Sequence, residues 1–151
     1  MAFALVQSNK GASALATTSP TFSVASTSGN LIVLGFASDD YNGSPDAGWT
    51  QSSEMEQQGF AGYYIWWRIS TGGTSPGTYT IGSATNSAWV MAEFSGNDSV
   101  PYDTSQGQFT NTSAASYTTD VITPSTGQRL LVAMMGASGV GDLSALTSIL
   151  G

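Results

Sequence analysis

Clusters of turn-forming residues cut this chain into short pieces, and the apolar residues between them run at strand length with almost no helical spacing. The clusters are Ser28-Gly29-Asn30, Tyr41-Asn42-Gly43-Ser44-Pro45-Asp46, Thr71-Gly72-Gly73-Thr74-Ser75-Pro76-Gly77, Ser95-Gly96-Asn97-Asp98 and Pro124-Ser125-Thr126-Gly127. Each supplies glycine or asparagine for a positive φ, or proline for a fixed one. Strands are predicted at Ala2 to Gln7, Thr21 to Ala25, Asn30 to Ala37, Trp49 to Glu56, Gly62 to Ile69, Thr78 to Gly82, Ala88 to Phe94 and Arg129 to Met135, with a weaker one around Tyr117 to Ile122. About eight or nine short strands separated by turn signals define an all-β chain, and an antiparallel, jelly-roll-like β-sandwich with long loops is the expected architecture.

Two segments carry apolar runs without the alternation of a half-exposed strand: 28–38, with Leu31, Val33 and Phe36, and 126–136, with Leu131 and Met134. Such runs mark strands covered on both faces, so Leu31, Val33 and Leu131 are expected in the core, and the two segments are expected to hold equivalent central positions. With 151 residues the chain has room for one core. It divides into an extended N-terminal arm (1–20), a β-sandwich domain (21–138) and an apolar tail (139–151). In the tail Leu143, Leu146 and Ile149 recur at a spacing of three, which predicts a short C-terminal helix whose apolar stripe packs on its own domain or on a neighbour. Residues 105–119, rich in Ser, Thr, Asn and Gln, read as a long loop.

Composition removes most familiar chemistry. With no cysteine and no histidine the chain has no disulfide framework, thiolate zinc site, thiol nucleophile or Ser-His-Asp triad. Three basic residues, Lys10, Arg68 and Arg129, face ten acids for a net charge of −7. Nucleic acid and anionic membranes both select clustered positive charge, so neither is an expected partner. No stretch approaches the length of a membrane span, and the first ten residues lack the basic start and apolar run of a secretory leader. Charged residues make up 9% of the chain against roughly 25% in ordinary soluble domains. A surface this poor in charge fits a subunit covered by neighbours in an assembly, or a secreted β-protein.

The strongest local feature is the aromatic segment Tyr63-Tyr64-Ile65-Trp66-Trp67-Arg68-Ile69, supported by Trp49, Phe60 and Trp89. Strand alternation places Tyr63, Ile65, Trp67 and Ile69 on one face and Tyr64, Trp66 and Arg68 on the other. Trp67 and Trp89 are assigned to the core. Tyr64, Trp66 and Arg68 are assigned to an interface, with Arg68 paired to an acid or seated on an aromatic ring, and a sugar-stacking platform as the alternative. Asp39, Asp40, Asn42 and Asp46 crowd one loop with oxygen ligands that could attract calcium, but the spacing matches no calcium loop and turn chemistry explains them; no metal or cofactor is expected. Glu54, Glu56 and Glu93 could form the carboxylate pair of a glycosidase. Solvated strand-face glutamates explain them as well, and no enzyme activity is expected.

The order of the motifs is more specific than any one of them. Gly48-Trp49-Thr50, the Tyr63-Tyr64 to Arg68 strand, Gly77-Thr78-Tyr79-Thr80-Ile81, and Ala88 to Phe94 leading into Ser95-Gly96-Asn97-Asp98 with Pro101 and Asp103 follow one another. Over about Gly29 to Asp103 this succession resembles a β-sandwich domain of bacteriophage virion proteins. The resemblance implies a structural role in the particle: a capsid decoration or cement protein, with a head fibre or tail component as alternatives. It further implies location on the capsid surface after synthesis in the host cytoplasm, the major capsid protein as partner, and a homo-oligomer, a trimer among the options, bound to a symmetric lattice. A glycan is a second candidate partner, through the exposed aromatics.

Overall fold

The computed structural model describes residues 3–14, 17–38, 43–57, 61–77, 79–81, 86–104, 121–123, 125–127, 130–134 and 146–150. Every regular element among them is a strand: β1 (Ala4–Ser13), β2 (Thr17–Thr18), β3 (Leu31–Ser38), β4 (Gly43–Pro45), β5 (Thr50–Gln57), β6 (Ala61–Ile69), β7 (Tyr79–Ile81), β8 (Ser87–Ser95), β9 (Leu130–Met134) and β10 (Leu146–Leu150). The main sheet has five strands in the order β1-β8-β3-β6-β5, all adjacent pairs antiparallel. A three-stranded sheet follows the order β2-β7-β4, and β9 pairs with β10.

β8 and β3 lie inside the main sheet, which is why their sequences do not alternate: both faces are covered. On one face Ile32, Leu34 and Phe36 of β3 join Tyr64, Trp89 and Met91, with Phe22 from the segment before β3 and the partly buried Trp49 and Trp66. On the other, Leu31 and Val33 join Ala92 and Phe94, flanked by Phe3, Ile65, Trp67, Ile69, Leu130 and Val132. Each large apolar side chain fully withdrawn from water on these faces contributes about 1.5–3 kcal/mol, so the central strands carry the core. The register sets the rows. On the Ile32 face Gln7, Glu93, Ile32 and Arg68 lie in one row across β1, β8, β3 and β6; the next row is Asn9, Met91, Leu34 and Trp66, and the one after it Gly11, Trp89, Phe36 and Tyr64.

Four expectations change. The segment expected as an extended arm is an edge strand, since residues 4–13 pair with β8 along their whole length, with a bulge at Val6. The tail residues expected to be helical pair instead as β10 with β9, Leu146 opposite Met134 and Leu150 opposite Leu130. A helix of one or two turns is costly to nucleate, whereas a strand beside β9 satisfies its backbone groups at once. The segment 126–136 is not equivalent to 28–38. β9 lies outside the main sheet, with Leu130 and Val132 against the Leu31 face and the alternate residue Leu131 42% exposed, so Leu131 is a surface residue and not core. Residues 21–25 form no regular strand, and Tyr117 lies outside the described residues.

Candidate functional site

The motifs of the aromatic strand meet at one corner of the Ile32 face. Gly48, at φ +97°, makes the turn that brings Trp49 to the start of edge strand β5, where the Arg68 guanidinium sits over its ring at 5.5 Å. Nη1 of Arg68 donates to the Pro76 carbonyl, just before Gly77-Thr78-Tyr79. Gly77 lies so close to the Asp46 carboxylate that a Cβ there would come within 2.3 Å of Oδ1. Three motifs separate in sequence therefore share one cluster, with Arg68 as its hub. The arginine is held by an aromatic face and a carbonyl; among the described residues no acid pairs with it, contrary to one of the two readings of its partner. Trp66 Nε1 and Arg68 Nε, on this face, are buried without a hydrogen-bond partner, as is Trp67 Nε1 on the opposite face.

Tyr64 is not available to an interface. It is 2% exposed, packed in the cluster with Ile32, Leu34 and Phe36 and tilted against Trp66 with ring centroids 6.5 Å apart. Phe22, delivered by a Ser/Thr-rich segment that carries no strand pattern of its own, joins the same cluster. Trp66 and Arg68 are half-buried. Trp89, Leu31 and Val33 are buried, and Trp67 is partly buried against the Leu31 face. Leu143 lies outside the described residues; Leu146 and Ile149 hold ladder positions in β10, Ile149 opposite Leu131.

Glu93 is the residue whose surroundings differ most from expectation. Far from being solvated, it is 0% exposed in the middle of β8. Its Oε2 accepts from Gln7 Nε2 at 2.6 Å, and its Oε1 accepts from the Thr27 amide at 2.8 Å and from Asn30 Nδ2 at 2.6 Å. Burial by itself would push this carboxyl up; the hydrogen bonds from Gln7, the Thr27 backbone and side chain, and Asn30 outweigh it and hold the group below the usual glutamate value. Nor can Glu93 pair with Glu54. Glu54 stands opposite Tyr64 on β5, three strands from β8 and four residues along β6 from the row of Glu93. That is roughly 20 Å between their Cα positions, beyond the reach of a carboxylate pair flanking a glycosidic bond.

Two further polar devices fasten the same region. The Gly72 amide donates to Ser70 Oγ, Ser70 Oγ lies 2.8 Å from Ser26 Oγ, and Ser26 Oγ donates to the Gly73 carbonyl, a directional relay between two buried serines. Asn97, in the Ser-Gly-Asn-Asp motif, accepts from the Leu31 amide at 3.0 Å and donates to the Gly29 carbonyl at 3.2 Å, locking the turn into β3. Asp39, Asp40 and Asn42 of the loop weighed for calcium lie outside the described residues. Among the described residues no three acidic, histidine or cysteine side chains gather to hold a metal, and no helix is long and apolar enough to cross a membrane.

Among mostly polar exposed residues, several large apolar side chains also reach the surface. Leu5, Val6, Val24, Val100, Tyr102, Val121 and Leu131 are exposed. The amide and hydroxyl of Ser125 donate to Asp103 Oδ2 at 2.8 and 2.9 Å, which ties the stretch holding Val100 and Tyr102 to the one following Val121. No family model, no curated protein and no solved structure matches the chain.

Proposed function

We propose that the chain is a structural β domain that works by contact, and specifically a bacteriophage capsid decoration protein that binds the outer face of the major capsid protein as a homo-oligomer and reinforces the shell without chemistry. One observation carries the contact part of this reading: Glu93 and Arg68, the enclosed charged side chains among the described residues, serve as fasteners of the fold, while Lys10, Asp46, Asp98 and Asp103 stay at the surface beside several exposed large apolar side chains. Glu93 and Arg68 are consumed in holding strands and loops together, while Val24, Val100, Val121 and Leu131 remain exposed on a chain that carries few charges. Exposed apolar groups on a sparsely charged surface are the usual raw material of subunit contacts.

The virion part rests on the ordered motifs between Gly29 and Asp103. A sandwich-like architecture, with Phe22 packed on one face of the main sheet and Leu130 and Val132 on the other, gives the stiffness a clamp needs. Repeated weak contacts on a symmetric lattice then sum to tight attachment. Mixing the purified chain with undecorated capsids and pelleting the particles tests the reading. Saturable co-sedimentation at a fixed ratio to the capsid protein supports it, and a chain that stays in the supernatant at all concentrations rejects it.

A further inference from the structure

We propose that residues 20–30 form a strap across the Ile32 face whose latch is the buried Glu93 carboxylate, and that protonating this carboxylate in acid releases the strap while the main sheet stays paired. Apolar burial holds the strap at one end: Pro20 and Phe22 are its buried apolar side chains, and Val24 is 66% exposed. At its β3 end the Gly29 amide donates to the Ser70 carbonyl at 2.9 Å, the Asn30 carbonyl accepts from the Ser70 amide at 2.8 Å, and Ser26 Oγ bonds Ser70 Oγ and the Gly73 carbonyl; its other polar ties fall into two sets. On one side the Phe22 and Ser26 amides donate to the Thr74 and Gly73 carbonyls at 2.7 and 2.8 Å. On the other, β1 reaches up with Asn9 Nδ2 to the Thr21 carbonyl at 2.7 Å and Gln7 Nε2 to the Val24 carbonyl at 3.2 Å. Glu93 joins both ends of this second set, because it fixes Gln7 and directly holds Thr27 and Asn30.

Every group described as hydrogen-bonding to the carboxylate presents a donor. An ionised carboxylate suits that environment because it only accepts. A proton added to either oxygen would need an acceptor where donors stand. The Gln7 or Asn30 amide could turn its oxygen towards it, or the Thr27 hydroxyl could accept, but each gives up a donation that the ionised carboxylate receives, and turning Gln7 also takes the donor from the Val24 carbonyl. The groups facing Glu93 are uncharged on every described element packed against it: Gln7 from β1, Thr27 and Asn30 from the strap, Ile32 from β3. The nearest described cation on this face is Arg68, in the same row beyond Ile32 and turned to Trp49 and Pro76. Lys10 belongs to the opposite face, opposite Val90, and Asp98 is exposed past the end of β8. No neighbouring charge therefore replaces the latch when it is protonated. Release uncovers Ile32 and Met91, both fully buried under the strap.

The sign follows from linkage. A carboxyl held below its unfolded value, about 4.3, stabilises the closed strap fully above that value, and this hold is lost as pH falls through the lower, folded value. Hydrogen exchange read by mass spectrometry on the full chain, at about pH 7 and about pH 3 with rates corrected for intrinsic pH dependence, tests the proposal. Peptides covering 20–30 are expected to lose protection in acid, while peptides of β6 and β8 keep theirs. Glu93→Gln, which carries the neutral shape permanently, is expected to show the acid pattern already at neutral pH. Equal strap protection at both pH values, loss of strap and central strands together, or an unchanged acid response in Glu93→Gln would each overturn the proposal. Should Glu93→Gln fail to fold, Asn30→Ala removes one donor and leaves the carboxylate; a higher midpoint for strap opening is expected, and an unmoved midpoint rejects the latch.

Discussion

Trp89 and Gly11 show how tightly single residues are matched in this fold. They face each other across β8 and β1, and a Cβ added at Gly11 would sit 2.6 Å from Trp89 Cζ2. Gly11→Ala is therefore expected to cost about 1–3 kcal/mol by overpacking and Trp89→Ala about 3–5 kcal/mol by leaving a cavity. In denaturant unfolding the double variant should cost less than the sum, because removing the ring removes the clash; strict additivity would show that the two do not touch. Arg68→Lys keeps the charge but cannot both lie flat on Trp49 and reach Pro76, so a lower melting temperature and altered tryptophan emission are expected, and wild-type values in both would remove Arg68 as the hub of its corner. The sequence revealed which residues of β6 and β8 share a face, because alternation is local. It did not reveal that the Tyr64 and Glu93 face is roofed, because the roof is a Ser/Thr-rich segment with one phenylalanine, and nothing in such a segment announces what it will cover.

Among the elements, the strands easiest to read are those whose composition is set by their own burial. β3 and β8, covered on both faces, stand out as unbroken apolar runs, and β6 as an alternating aromatic one. Elements whose state depends on a partner were harder. β1 past Gln7 reads Ser8-Asn9-Lys10-Gly11, poor strand formers that pair only because β8 offers an edge and because their side chains hold the strap. β9 looks like a twin of β3 yet belongs to a two-stranded sheet with one face on the core, and β10 has the spacing of a helix but the ladder of a strand. Deleting residues 146–150 should strip β9 of its partner and weaken the layer over Leu31 and Val33. We expect a clear drop in melting temperature, at about 2–4 °C per kcal/mol lost, with the strand signature of the main sheet retained in circular dichroism. An unchanged melting temperature would mean that β9 holds its place without β10.

For the whole molecule, the use of Glu93 and Arg68 as internal fasteners and the exposure of apolar side chains such as Val100 and Leu131 are the basis of the contact reading. Replacing Val100 and Leu131 with glutamate should leave unfolding within about 0.5 kcal/mol of wild type, since both are exposed, yet weaken attachment to capsids by at least an order of magnitude. Retained attachment would place the contact surface elsewhere on the chain. The all-β class could be read from turn spacing alone, whereas the partner could not, because adhesive surfaces carry no motif chemistry and the exposed apolar residues are scattered from Leu5 to Leu131. The most direct measurement of the proposed role is the copy number of this chain, relative to the major capsid protein, in phage particles purified from a lysate that contains it, determined by quantitative mass spectrometry. The account predicts a constant ratio that fits the symmetry of the shell; absence from the particles, with the chain recovered only in the soluble fraction of the lysate, would contradict it.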